Sequence, residues 1–289
     1  MIHQLDINGR DKVEVAIMRL KTFEPPEGYY LAFSGGKDSV VCKALCDMAG
    51  VKYDAHYNIT SVDPPELVQF VKTFHDVKRE HQYWKSDGKH HKAGDPITMW
   101  NLIAEKTMPP TRLARYCCQH LKEGSGHDRF VITGVRHAES TARGNRGGVE
   151  VGDKSSRSDR RERIDPDNPD QEMIHICQMK KQRILNPIID WTDDEVWEFI
   201  REYNVPYCKL YDEGYKRLGC IGCPMGSPEH RQNELNRFPT YKRAYLKAFE
   251  KMLANKKEPD EEKMGKSYSG KQYVINWVDA NAVLNWWIH

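Results

Sequence analysis

Two groups of residues in this 289-residue chain have the types and spacing to do chemistry. The first is Ser34-Gly35-Gly36-Lys37-Asp38-Ser39, set between the apolar runs Tyr29–Phe33 and Val40–Leu45. The first run predicts a buried strand and the second a helix. The glycines between them allow positive φ and close backbone approach. The N–H groups of the following helix, with its dipole, favour an anion. Lys37 adds a mobile cation, and Ser34 and Ser39 add hydroxyl donors. A loop of this kind holds phosphate, although it lacks the G-x-x-x-x-G-K spacing of the Walker loop. The plainer reading is a glycine turn joining a strand to a helix.

The second group is sulfur. Of eight cysteines, Cys117 and Cys118 are adjacent, and Cys220 and Cys223 form a CxxC pair. No secretory or membrane-spanning run is evident, so the expected location is the cytoplasm, where disulfides are rare. Paired thiolates then point to a metal. Zinc ribbons carry two CxxC units, and adjacent cysteines fit a small tetrahedral site badly. An iron–sulfur cube has separated iron corners and commonly takes all-cysteine ligation. Cys42 and Cys46, spaced i, i+4, are expected to be small buried residues. His90, His91 and His120 read either as scattered surface histidines or as metal ligands.

The elements that must position these groups read as α/β, a parallel twisted sheet flanked by helices. A helix is predicted over about 11–22, strands over Tyr29–Phe33, Val51–Asn58 and Phe130–Gly134, and a helix from Pro64–Pro65 to about Phe74. Alternating strands and helices imply right-handed crossovers, with ligands beyond the strand C-termini. The Ser34–Ser39 loop, the His56–Thr60 segment and Gly134–Arg143 are therefore expected to converge on one nucleotide. Thr192 and Glu195 form a capping box for a helix through about Tyr203, and Phe238–Ala254 reads as another helix. Trp191 and Trp197 read as core. The Arg- and Gly-rich stretch Thr141–Gln171 shows no periodicity and is expected to be one long loop, either a lid or a solvated insertion. Its Arg157, Arg160, Arg161 and Arg163 would accordingly close over phosphates or simply face water. The divisions drawn are 1–190 for the nucleotide-binding part, 191–254 for a helical part with the CxxC, and 255–289 for a linker and tail. The Trp-rich tail is expected to be a helix docked on the body, with a partner surface as the alternative.

The Ser34–Ser39 loop resembles the PP-loop of the ATP pyrophosphatase superfamily, whose members cleave ATP between the α- and β-phosphates. Together with the cysteines it resembles the sulfonucleotide (APS/PAPS) reductase family, over about Tyr29 to Met225. Gly134, Arg136, Glu139, Ser140 and Arg143 match the family's arginine loop. Pro187, Asp190, Trp191, Thr192, Val196 and Trp197 match a second segment, and Leu210–Tyr215 resembles the stretch before the CxxC. The resemblance implies an adenine nucleotide alpha-hydrolase-like fold with a helical, cluster-bearing C-terminal part. It implies ATP held by Ser34, Gly35, Gly36, Lys37, Asp38, Ser39, His56 and Gly134, with Mg2+ on the phosphates. The catalytic residues it implies are Lys37, Asp38, Lys122, Arg136 and Arg143. It also implies a 4Fe–4S cluster on Cys117, Cys118, Cys220 and Cys223, beside the nucleotide.

The reductases carry a catalytic cysteine in a C-terminal tail, whereas no cysteine follows Cys223 here. That departure points to relatives that keep ATP chemistry and a cluster, namely the sulfurtransferases of DNA phosphorothioation and, more distantly, cluster-dependent tRNA thiolases. The expected function is ATP-dependent sulfur transfer onto an adenylated acceptor. A cysteine desulfurase is the expected sulfur source, and nucleic acid the acceptor, DNA ahead of tRNA. One alternative is a sulfonucleotide reductase using an external or unusual thiol. Another is a non-catalytic nucleotide-binding iron–sulfur subunit. A net charge of +2 does not announce a polyanion binder. No membrane contact is expected, and a homo-oligomer is allowed for.

Overall fold

The computed structural model describes residues 9–85, 92–122, 125–126, 128–139, 147–152, 162–164, 182–255 and 277–289. Helix α1 (Lys12–Thr22) starts where Asp11 accepts the N–H groups of Val13 and Glu14, supplying the orphan donors of a first turn with an acceptor. Strand β1 (Tyr29–Ala32) leads into α2 (Lys37–Ala49), which ends at Gly50 with φ +68°. Strand β2 (Tyr53–Asn58), helix α3 (Pro65–Val71) and strand β3 (Val77–Glu80) follow. Next come α4 (Met99–Lys106), α5 (Tyr116–Leu121) and β4 (Phe130–Ile132). Strands β5 (Val149–Gly152), β6 (Glu162–Ile164) and β7 (Gln182–Leu185) precede α6 (Asp193–Glu202). The chain closes with α7 (Pro228–Arg237), α8 (Pro239–Asn255) and α9 (Ala280–Ile288).

The sheet has seven strands in the order β3-β2-β1-β4-β7-β5-β6. Neighbours from β3 to β7 are parallel, and β5 and β6 are antiparallel additions at one edge. This is the α/β architecture expected from the alternation of elements. The chain divides into two compact units, each discontinuous in sequence. One comprises Met1–Asn58, Pro65–Glu80 and Ser125–Leu218 and holds the whole sheet with α1, α2, α3 and α6. The other comprises Ile59–Pro64, His81–Gly124 and Gly219–His289 and is helical among its described residues. No helix among the described residues is long and apolar enough to cross a membrane.

The expectation of one long loop over Thr141–Gln171 is corrected in part. Its described residues include β5 and β6, paired with Val149 opposite Ile164. The short Val149-Glu150-Val151 alternation was masked by the surrounding Gly, Arg and Asp. Glu150 is buried, and its carboxylate accepts the Gly147 N–H at 3.1 Å. Strands β3 and β7 were not anticipated either. The helix expected to reach Phe74 stops at Val71.

The tail docks as expected. Val283, Leu284, Trp287 and Ile288 of α9 are buried with Leu102, Ile103, Leu235, Phe249 and Met252 in the core of the helical unit. The Trp287 ring lies 4.7 Å from Tyr245 and 5.7 Å from Phe249 between centroids. Its Nε1–H donates to the Pro110 carbonyl at 2.8 Å. Trp287→Ala removes that packing and leaves the carbonyl unpaired. It should therefore cost about 3–5 kcal/mol, read as a lower urea midpoint. A midpoint within experimental error of the parent would contradict this account of the tail.

Candidate functional site

In the sheet-bearing unit, β1 delivers the chain to the Ser34–Ser39 loop, with the Phe33 N–H bonded to the His56 carbonyl at 2.9 Å. Gly35 has φ +74°, and a Cβ there would lie 2.7 Å from Leu67 and 2.8 Å from Val71, so the turn is pressed onto α3. Only glycine meets both demands. The Ser39 hydroxyl donates to the Gly36 carbonyl at 2.8 Å and accepts the Ser34 N–H at 3.2 Å. Gly36, the cap of α2, offers no side-chain acceptor. The Lys37 N–H instead donates to the Tyr211 hydroxyl at 2.9 Å.

Charge is organised around the first turn of α2. Arg136 is 1% exposed, and its Nε donates to Asp38 Oδ1 at 2.7 Å. Its terminal nitrogens reach Asp193 Oδ1 at 2.6 Å and the Trp191 carbonyl at 3.2 Å. Lys37 is buried, with Nζ 3.2 Å from Asp193 and 3.8 Å from Asp38. Burial raises the Asp193 pKa, but hydrogen bonds and charge from Arg136 and Lys37 outweigh it, and the net shift is downward. The loop after β4 reaches this turn because position 134 is glycine. A Cβ there would lie 2.9 Å from Asp38 Cβ and 3.0 Å from the Asp38 backbone. Two cations with opposed carboxylates at a helix N-terminus suit the phosphates of a nucleotide.

The structure thus brings Ser34, Gly35, Gly36, Lys37, Asp38, Ser39, Gly134 and Arg136 together. His56 lies within β2 rather than after it, opposite Ala32. Its ring stacks on Tyr30 at 4.1 Å with 12° between planes, and Nδ1 is 3.2 Å from Glu80. Arg143, Arg157, Arg160 and Arg161 lie outside the described residues, whereas Arg163 falls on β6. Asp193 and Tyr211 were missed as site residues. Asp193 was legible only as part of a capping box, and Tyr211 only as one residue of the Leu210–Tyr215 run.

The four motif cysteines all belong to the helical unit. Cys117 and Cys118 lie in the first turn of α5, and Cys220 and Cys223 flank a turn in which the Cys223 N–H bonds the Cys220 carbonyl at 3.1 Å. That turn is held by its neighbours. The Ile221 N–H donates to the Val62 carbonyl at 2.8 Å, and the Tyr245 hydroxyl donates to the Ile221 carbonyl at 2.8 Å. The Gly222 N–H donates to Glu234 at 2.9 Å, while Arg112 bonds the Pro224 and Met225 carbonyls at 3.2 and 3.1 Å.

The thiols share one electrostatic neighbourhood. A hydrogen bond from Cys117, with help from Arg115 at 3.2 Å, pulls Cys118 down to about 5 against its burial. Cys117 is pushed up by giving that bond, by burial, and by the charges of Cys118, Cys220 and Cys223. Burial pushes Cys220 up to about 12, opposed by Lys122. Lys122 is itself raised, chiefly by the Cys220 charge. No three His, Cys, Asp or Glu side chains among the described residues are drawn to ligating distance, and the four thiols are free. As a donor set, four thiols with cationic neighbours and a backbone-fixed turn suit a soft iron–sulfur group better than a hard cation. Cys42 and Cys46 are fully buried, as expected. His120 packs near Trp84, with centroids 5.8 Å apart, and His90 and His91 lie outside the described residues.

Comparison with known proteins bears on the same span. Adenosine 5'-phosphosulfate reductase 2 of Bacillus subtilis is 37% identical over 87 residues, 29% of this chain and 33% of that protein. The chain therefore matches about a third of that relative's length. A phosphoadenylyl-sulfate (PAPS) reductase from Candida auris, solved with phosphate, is similar with a TM-score of 0.43 and 17% identity. That likeness covers 72% of this chain and 87% of the other. The U34-tRNA thiolase NcsA of Methanococcus maripaludis, solved with its 4Fe–4S cluster, gives a TM-score of 0.36 and 13% identity. There the coverage is 88% of this chain and 82% of the other. The model of the phosphoadenosine phosphosulfate reductase domain matches residues 28–226. Because that span holds both the loop that opens α2 and all four paired cysteines, the chain belongs to the phosphoadenosine phosphosulfate reductase domain family.

Proposed function

We propose that the protein is an ATP-dependent sulfurtransferase that activates its acceptor by adenylation. The observation that carries this reading is the Ser34–Ser39 loop at the start of α2, with Lys37 and Arg136 at its first turn. In the proposed reaction the loop N–H groups, the serine hydroxyls and Lys37 hold the triphosphate. An acceptor oxygen attacks the α-phosphorus, forming a P–O bond. The bond to the β-phosphate oxygen breaks, and pyrophosphate leaves with the electron pair. Lys37 meets the charge that grows on the leaving group, so catalysis is positioning and charge neutralisation. The terminal sulfur of a persulfide, carried by a cysteine desulfurase, then attacks the activated acceptor and displaces AMP. An external thiol reductant cleaves the remaining S–S bond, leaving the sulfur on the acceptor and itself becoming oxidised to a disulfide. Arg136 holds Asp38 and Asp193 in place, and Arg143 is assigned to close over the phosphates. Asp38 would help to hold Mg2+, which would supply charge neutralisation at the phosphates. Cys117, Cys118, Cys220 and Cys223 would hold a 4Fe–4S cluster, which supplies soft iron and sulfide chemistry, with Lys122 as its cationic neighbour.

A sulfonucleotide reductase using an external thiol is the second reading, favoured by the family match over residues 28–226. Anaerobically prepared protein separates them. Pyrophosphate release from ATP, dependent on acceptor, supports sulfur transfer. Sulfite release from APS or PAPS with thioredoxin supports reduction and overturns transfer. Nucleotide binding without turnover of either would instead mark a non-catalytic subunit.

The acceptor is assigned to nucleic acid, DNA ahead of tRNA, on the strength of the Arg-rich stretch and the Lys-rich α8. Backbone contacts of this kind lose about 0.7–0.9 log units of affinity per phosphate per decade of salt. Binding to a DNA duplex, alone or with the desulfurase, is therefore expected to weaken steeply with salt. Charge reversal at Arg157, Arg160 and Arg161 should reduce both the affinity and the salt slope. Absence of binding at low salt would remove nucleic acid as the acceptor.

A further inference from the structure

Tyr211 stands at the phosphate loop although nothing in the Ser34–Ser39 motif calls for it. It closes the 3-10 turn Lys209–Tyr211, with its N–H bonded to the Cys208 carbonyl at 3.1 Å. Its ring packs edge-on against Trp197 of α6, with centroids 5.0 Å apart and 83° between planes. The hydroxyl is therefore placed by a rigid aromatic contact rather than by a mobile side chain. It accepts the Lys37 N–H at 2.9 Å and lies 3.6 Å from where a Cβ of Gly36 would be. That puts it at the turn where the chain enters α2. Gly36 gives α2 no side-chain cap, so a residue 174 positions away takes one of the helix's orphan N–H groups.

A phenol has one hydrogen to donate beyond the bond it accepts. Among the described residues nothing accepts the Tyr211 hydrogen. Burial raises the Tyr211 pKa, and the Asp38 and Asp193 charges raise it further against the Lys37 N–H bond. The group therefore stays a neutral donor through the physiological range. An anion on the Ser34–Ser39 loop would complete a chain from the Lys37 N–H through the hydroxyl to a phosphate oxygen. Each bond in such a chain polarises the next.

We propose that Tyr211 is a phosphate-binding residue of this site, its hydroxyl donating to a phosphate oxygen of the nucleotide while it accepts the Lys37 N–H. The inference rests on the reading of Ser34–Ser39 as a nucleotide phosphate loop. It adds a donor from beyond the loop, so that nucleotide affinity depends on the turn after α6.

Tyr211→Phe keeps the ring and its contact with Trp197 and removes only the hydroxyl. Isothermal titration with ATP and with adenosine, alongside Lys37→Ala, tests the proposal. A hydrogen bond to a charged group carries about 10- to 100-fold in affinity, so ATP should bind that much more weakly to Tyr211→Phe. Adenosine, which has no phosphate, should bind as it does to the parent. The unliganded melting temperature should change little, while the upward shift given by ATP shrinks. Parental ATP affinity in Tyr211→Phe, with weakened binding in Lys37→Ala, would overturn the role of Tyr211 and leave the loop reading standing. Equal losses for ATP and adenosine would make Tyr211 merely structural and also overturn it. Parental ATP affinity in both variants would remove the phosphate-loop reading, and this inference with it.

Discussion

Lys37→Ala is expected to slow pyrophosphate release from ATP by about a hundred- to a thousandfold, the usual effect of removing one charged donor from a developing anion. The fold should survive the change. Lys37 is buried, and loss of one partner of a buried ion pair is normally severe. Here, however, Asp193 keeps Arg136 at 2.6 Å and Asp38 keeps it at 2.7 Å. No carboxylate is left without a cation. The melting temperature should therefore move far less than the rate. A variant that turns over ATP at the parental rate would show the loop to be a structural turn, and the proposed function would lose its main support.

The other large effect is expected at the cysteines. Anaerobic protein should be brown and carry about four irons per chain, as all-cysteine cubane ligation requires. Replacing Cys117, Cys118, Cys220 or Cys223 by Ser should bleach it. Cys42→Ser should not, because Cys42 is buried in α2 of the other unit. The helical unit should stay folded on loss of the group. Its CxxC turn is held by Val62, Tyr245, Glu234 and Arg112 through bonds that involve no sulfur. A colourless protein with one tightly bound zinc would sink this assignment.

What could be read from the sequence was local. The Asp11 cap, the Thr192–Glu195 box and the glycine turn before α2 each depend on residues within a few positions of one another. The backbone geometry of a helix end selects those residue types directly. The apolar runs of β1 and β4 were legible for a similar reason, since strands buried on both faces read as continuous apolar segments. By contrast, β5 and β6 lie in a polar, Gly- and Arg-rich stretch, and β3 is the four residues Val77–Glu80 at the sheet edge. Their pairing depends on the neighbouring strand more than on their own composition.

The motifs, then, were determined by the sequence alone: a phosphate-type loop at a helix start, and four cysteines of a spacing suited to an iron–sulfur group. Only the tertiary structure decided their partners. It joined Arg136 to both Asp38 and Asp193, set Tyr211 against the Lys37 N–H, and gripped the CxxC turn from four separate segments. It also drew each of two compact units from separate stretches of the chain. The physical reason is range. Caps and turns are chosen by bonds within a few residues, whereas a buried guanidinium or phenol takes whichever partner the packed chain brings within about 3 Å, and no periodicity records which one that will be.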